Sequence, residues 1–296
     1  MMQSGSEATA RVRRGFVDID EGQVHYRYAG LEKRGEMRPL VMLHASPGSA
    51  LMLEPLIAAI GRSRPVIAPD TLGNGDSSAP RPAQPDIAYF SDAQRRALDA
   101  LGVGEFDLYG SHTGGNQAIE LAIAHPDRVK SLILDGISLY SLEERADMLA
   151  HYAPDVRIDA LGSQFLYAWT FVRDACLFWP WYRREAQSRR PLGLPDPDAL
   201  HDKVVEVLKA VRTYPLSYRA AIRYEKEARL GLIRVPTLFA CARSDMLVQY
   251  YDQVRELLPK HARSLLTDGV ATPAALASTV AALEHFLEQP ETATRD

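Results

Sequence analysis

The chain of 296 residues holds only two cysteines, Cys176 and Cys241, far apart and in different contexts. Two such thiols form neither a disulfide framework nor a metal-ligand pattern, so a reducing compartment is expected. No His-x-x-x-His pair and no carboxylates at ligand spacing occur, so no metal is expected. A Gly-x-Gly-x-x-Gly phosphate loop is missing as well, and the expected cofactor set is none. No basic stripe accompanies the formal charge of −4, which argues against nucleic acid as a partner. No apolar run approaches about 18 residues, so no membrane span is expected. The polar opening stretch MMQSGSEATARVRR does not read as a signal peptide. These absences leave a cytoplasmic protein that handles a small molecule, its oligomeric state open, with frayed ends over residues 1–8 and 289–296.

What is present points to one α/β domain with an insertion. Hydrophobic residues make up 46% of the chain, ample for a large core. Residues 15–20 and 23–29 alternate around Glu21-Gly22 and read as a hairpin. Continuous apolar runs at 39–44, 64–69, 106–109, 129–134, 236–240 and 264–266 read as strands buried on both faces. Helical patterns fall at 52–60, 87–101, 115–124, 249–257 and 274–286. The alternation implies a mostly parallel sheet flanked by helices. Residues 138–230 break it: they carry no convincing strand and hold all three tryptophans. A run of that length needs structure of its own. It is expected to form a helical cap over the sheet's C-terminal edge, with a loop at 189–197, leaving 9–137 and 231–288 as the core domain.

The chemistry-bearing stretch is EFDLYGSHTGG at 105–115: an apolar strand, then Gly-x-His-x-Gly, then a helix-like run. That is the frame of a nucleophile elbow, a sharp strand-to-helix turn that lifts one side chain into an active site. The frame ordinarily holds Ser, sometimes Cys or Asp; here it holds His112. Gly110 and Gly114 suit a strained backbone and a close approach of helix to strand. Ser111 comes one position early and is expected to point elsewhere.

Further segments follow in order. They are His44-Ala45-Ser46-Pro47-Gly48, the turn Asp70-Thr71-Leu72-Gly73-Asn74-Gly75-Asp76-Ser77, the elbow, His125-Pro126-Asp127-Arg128-Val129, and Val235-Pro236-Thr237 followed by Asp245. Together they resemble the α/β-hydrolase superfamily over nearly the whole chain. The resemblance implies that fold, an oxyanion hole from the backbone N–H groups of Ser46 and Thr113, and Asp245 as the acid. It does not carry over Ser-His-Asp catalysis. The elbow lacks serine, and no histidine lies between His261 and His285, where the TDGVAT stretch at 267–272 follows the last strand.

The reading drawn from these residues is that the His112 imidazole fills the space the two lost groups would share. Asp245, or Asp135 at the end of SLILDG, holds one ring nitrogen, and the other serves as general base near neutral pH. Pocket candidates are His44, Ser111, Trp169, Phe178 and Trp179. Plainer roles stand beside these. His44 supports its loop through a backbone hydrogen bond, Asp70 fixes its own turn, and His125 ends a helix. His25, His151, His201 and His261 are surface or loop residues. Arg173 pairs with Asp174 inside the cap or meets an anionic substrate. The expected function is cofactor-free hydrolysis of an ester, lactone or C–C bond in a small apolar carbonyl compound by water that His112 activates. The alternatives are a lyase, decarboxylase or isomerase built on the same base and oxyanion hole, and a non-catalytic ligand-binding protein.

Overall fold

The computed structural model describes residues 9–290. The frayed ends expected at 1–8 and 289–296 lie outside that range apart from Gln289 and Pro290, which follow the last helix. Eight strands form one sheet among the described residues: β1 (Arg13–Ile19), β2 (Gly22–Ala29), β3 (Leu40–Leu43), β4 (Val66–Pro69), β5 (Phe106–Ser111), β6 (Val129–Asp135), β7 (Thr237–Ala242) and β8 (Arg263–Thr267). Their order is β1-β2-β4-β3-β5-β6-β7-β8. The β1–β2 hairpin and the β2–β4 pair are antiparallel, and every other neighbouring pair is parallel. The helices in chain order are α1 (Glu54–Ile60), α2 (Ile87–Ala100), α3 (Thr113–Ala124), α4 (Leu142–His151), α5 (Ser163–Leu177), α6 (Pro197–Lys209), α7 (Tyr214–Arg223), α8 (Tyr251–Leu257) and α9 (Pro273–Glu288).

The unbroken apolar runs of the central strands have a direct cause. Successive residues of a strand face opposite sides, and here both sides are covered. Val41, Leu43, Leu108, Leu132 and Leu134 pack with Ile119 of α3 and Val254 of α8 on one face. Leu40, Met42, Tyr109 and Ile133 pack with Ile57 of α1 and Phe286 of α9 on the other. No helix of the described residues is long and apolar enough to cross a membrane.

Helices α4–α7 all lie between β6 and β7, at the C-terminal end of the parallel strands. They build a cluster of their own around Met148, Phe171, Trp181, Leu200 and Ile222. The Phe171 and Trp181 rings meet edge to face at 5.1 Å, an arrangement the ring quadrupoles favour. The inserted segment is also seated on the core: Ala220 and Ala221 of α7 join Val24, Ile87 and Phe90.

One charged cluster hides inside the apolar pattern. Asp107 is the second residue of β5 and is 1% exposed. It accepts from Arg64 Nη1 and Ser131 Oγ, each at 2.8 Å. Replacing Asp107 with Ala would strand the Arg64 guanidinium in the interior. The expected cost is about 3 kcal/mol or more, read by urea unfolding. A loss below about 1 kcal/mol would mean that Arg64 finds water instead.

Candidate active site

His112 ends the turn from β5 into α3 with φ 50° and ψ −111°, the one non-glycine residue at positive φ among those described. Such a conformation costs on the order of 1–3 kcal/mol and persists only where its surroundings enforce it. Two contacts do so here. The His112 N–H donates to Asp135 O at 3.0 Å, extending the β5–β6 ladder into the turn. Gly114 brings α3 so close to β3 that a Cβ there would lie 2.3 Å from Leu43 O.

The strained turn aims the imidazole at the loop after β7. His112 Nε2 lies 2.8 Å from Asp245 Oδ2, while Asp245 Oδ1 accepts the Leu247 N–H at 2.7 Å. Gly136 makes room for this pair, because a Cβ at that position would sit 2.7 Å from His112 Cδ2 and 3.3 Å from Asp245 Oδ2. With Asp245 as acceptor, Nε2 carries the proton, and Nδ1 has no hydrogen-bond partner among the described residues. The His112 side chain is 26% exposed, so the ring is reachable from outside.

Electrostatics divides the nearby carboxylates. Burial disfavours the charge on Asp245, but the His112 cation and the Leu247 amide outweigh it and hold its carboxyl below the usual range. Burial likewise disfavours charge on His112, and Asp245, with a smaller contribution from Asp135, raises the imidazole above its ordinary value. Asp135 does not bond the ring. Its Oδ2 accepts the Tyr109 hydroxyl at 2.6 Å. Burial pushes Asp135 up to about 6, against that hydrogen bond and with the help of the Asp245 charge. Of the two carboxylates considered from the sequence, Asp245 meets the imidazole and Asp135 meets Tyr109.

The loop at 44–48, expected to supply an oxyanion donor from Ser46, makes an internal contact. The Ser46 N–H is engaged: it donates to Thr113 Oγ1 at 2.6 Å. That hydroxyl has no acceptor for its own proton among the described residues. The Ser46 side chain is tied in turn to Ser217 Oγ of α7 at 3.1 Å.

His44 is fully buried and does not reach a pocket. Its Nδ1 donates to Ala45 O at 2.8 Å and its Nε2 accepts from the Thr71 N–H at 2.9 Å, so both ring nitrogens are spent on the loop. Ser111 is half-buried at the end of β5, in register with Asp135. Trp169 stands 41% exposed on α5. Phe178 pairs with Arg189 in a short antiparallel bridge. Trp179 packs on Tyr152 at 5.6 Å and lines a cavity of about 130 Å³ with Tyr140, Met148 and Tyr250; His112 is not among its lining residues. Arg173 donates to Asp174 at 2.7 Å, the salt-bridge alternative of its two readings.

His25 corrects a further expectation. It is 2% exposed, not a surface residue, and its Nδ1 lies 2.8 Å from Asp70 Oδ2. Asp70 does fix its turn, accepting the Ala50 N–H at 2.8 Å and the Asp76 N–H at 3.2 Å. Three residues at or beside the site escaped the sequence reading: Tyr109, Gly136 and Arg190, whose Nη2 donates to the carbonyl of Ser244 next to Asp245 at 3.4 Å. Gly136 directly follows Asp135 and could have been found as a strand-ending Asp-Gly. Tyr109 is indistinguishable from a core aromatic in one dimension, and nothing marks Arg190 among its neighbours.

The family described as alpha/beta hydrolase fold matches residues 38–269. A curated relative, the 2-hydroxymuconate semialdehyde hydrolase of Pseudomonas sp. (strain CF600), is 37% identical over 129 residues, which is 42% of this chain and 46% of that one. The chain thus spans less than half the length of that relative in the match. Among solved structures, the enol-lactonase from Burkholderia xenovorans LB400 aligns with a TM-score of 0.68 at 20% identity, covering 93% of this chain and 100% of its own. A thermophilic esterase from Thermogutta terrifontis aligns at 0.67 and 17%, covering 95% and 100%. At such identities the two structures speak for the fold.

The His112–Asp245 pair makes a titration prediction. A raised histidine contributes stability that is fully present below its unfolded value of 6.5 and is lost as pH rises through its native value. A depressed aspartate contributes above its unfolded 3.8 and loses this as pH falls through its native value. The stability gap between wild type and Asp245→Asn is therefore expected to be widest between about pH 4 and 6.5. By NMR, His112 should titrate above 6.5 in the wild type and lower in Asp245→Asn. An identical titration in both proteins would mean the pair does not form in solution.

Proposed function

The chain belongs to the alpha/beta hydrolase family, and on that footing we propose that it is a cofactor-free hydrolase in which His112 acts as general base on water. The observation that carries the reading is the 2.8 Å contact of His112 Nε2 with Asp245 Oδ2, which leaves Nδ1 as the unpartnered nitrogen of a ring held on the elbow. Substrates are small carbonyl compounds: an ester, a lactone, or a C–C bond beside a ketone. Relatives and neighbours named as a semialdehyde hydrolase, an enol-lactonase and an esterase support that range. A cytoplasmic location belongs to the same proposal and is supported by two cysteines that are free thiols.

In the proposed step, Nδ1 takes a proton from a water molecule as its oxygen attacks the carbonyl carbon. Asp245 keeps the ring oriented and offsets the imidazolium charge that forms. The carbonyl oxygen becomes an oxyanion held by the Thr113 N–H and by the Thr113 O–H, itself polarised by the Ser46 N–H. Collapse breaks the bond to the leaving group, which receives its proton from Nδ1. No covalent enzyme intermediate is needed, which accommodates an elbow without serine or cysteine.

The test is turnover of an ester, lactone and β-diketone panel by wild type, His112→Ala and Thr113→Val. His112→Ala is expected to lose roughly 100- to 10,000-fold in kcat/KM, and Thr113→Val roughly 100-fold in kcat. Because the base works only when neutral, activity should fall with decreasing pH along a limb lying above 6.5, and Asp245→Asn should move that limb down. Labelled water must appear in the product. Turnover without label would make the enzyme a lyase or isomerase. Ligand-induced melting shifts with no turnover at all, unchanged in His112→Ala, would make it a binding protein.

A further inference from the structure

Five arginines gather where α5 meets the following loop; three of them are neutralised, and Arg189, exposed, has no carboxylate partner among the described residues. Arg173 and Arg184 both grip Asp174, at 2.7 and 2.6 Å, and Arg183 binds Asp147 at 2.8 Å. Arg190 differs. Its Nη1 donates to Ala175 O at 2.9 Å and its Nη2 to Ser244 O at 3.4 Å, both neutral carbonyls. No carboxylate among the described residues pairs with it. Ser244 immediately precedes Asp245, so the guanidinium from the inserted segment is anchored beside the residue that holds the His112 ring. Its charge is felt there: it lowers His112 against the pull of Asp245 and Asp135, and it lowers Asp245 in the same direction as His112 and the Leu247 amide.

The arginine is also fixed in place. The Arg190 N–H donates to Leu177 O and the Trp179 N–H to Ser188 O, each at 2.8 Å, and Arg189 bridges Phe178 between them. This ribbon ties the loop to the end of α5. Of the five N–H donors that a guanidinium carries, the two carbonyls orient the plane and leave the others unassigned. A planar cation held by neutral acceptors, half-buried and anchored one residue from Asp245, is suited to a carboxylate, which it binds through two parallel hydrogen bonds.

We propose that Arg190 is a specificity-determining residue that holds an anionic group of the substrate, so that the carbonyl compounds hydrolysed at His112 carry a carboxylate on the side facing the inserted segment. This rests on the general-base reading above and narrows its substrates to carbonyl compounds that carry an anionic group, in place of the apolar ones expected from the sequence. The same plane would exclude neutral analogues, because the carboxylate gains charge-assisted hydrogen bonds that a methyl group does not.

The experiment compares two substrates of equal length, phenyl butyrate and the monophenyl ester of succinic acid, in wild type, Arg190→Gln, Arg190→Lys and His112→Ala. Succinate binding to wild type and Arg190→Gln is measured alongside by calorimetry. Wild type should favour the succinate ester. In Arg190→Gln the ratio of kcat/KM values, anionic over neutral, should fall roughly 10- to 100-fold. Arg190→Lys should restore part of the ratio, having the charge without the fork, and it carries the comparison alone if Arg190→Gln does not fold. An unchanged ratio while His112→Ala abolishes turnover of both esters would overturn the role of Arg190 and leave the general base standing. Turnover that survives in His112→Ala, or none in wild type, would overturn the general base. In that case weaker succinate binding in Arg190→Gln upholds the anion site, and equal or no binding overturns it.

Discussion

The backbone at residue 112 is held in a conformation that an L-residue with a bulky side chain avoids, and the site depends on it. With φ at 50° the imidazole points to the β7–α8 loop and meets Asp245. The strain is sustained by the parallel ladder that runs on through His112 N–H to Asp135 O, and by glycines that let α3 and the post-β6 turn close in. The packing of a large buried sheet thus sets the direction of one side chain.

From that placement the charges sort themselves. Two carboxylates end neighbouring strands or loops near one imidazole, yet they differ in state. Asp245 has a cation and a backbone amide on its two oxygens and is held ionised. Asp135 has a neutral phenol and burial, and its titration rises to about 6. Environments that push like groups apart let two carboxyls of one site differ in protonation at the same pH. The Tyr109 hydroxyl is therefore part of the site's electrostatics although its ring is part of the core.

The inserted helices complete the arrangement from above. Ser217 of α7 touches Ser46, whose amide donates to the Thr113 hydroxyl, so the segment reaches the loop at 44–48 on one side. On the other side Arg190 reaches the backbone beside Asp245. Most of the cap aromatics, Phe171 and Trp181 among them, are consumed in holding the helices together. The polar contacts carry the specificity in the proposed reading.

The sequence by itself determined the strand–helix alternation, the hairpin, the interrupting helical segment, and the elbow with histidine at its apex. Each is local: apolar runs, glycine spacing and turn residues act over a few positions. It also limited the carboxylate partners to Asp135 and Asp245. Only the tertiary structure decided between them, because the choice turns on where two loops more than a hundred residues apart come to rest. The same holds for His44 and His25, whose ring nitrogens are spent on Ala45, Thr71 and Asp70, and for the Ser46 amide captured by Thr113. Arg190 was invisible in one dimension for a related reason. It sits among other arginines, and what sets it apart is that Arg173, Arg183 and Arg184 found carboxylates while it, half-buried in the folded chain, found carbonyls.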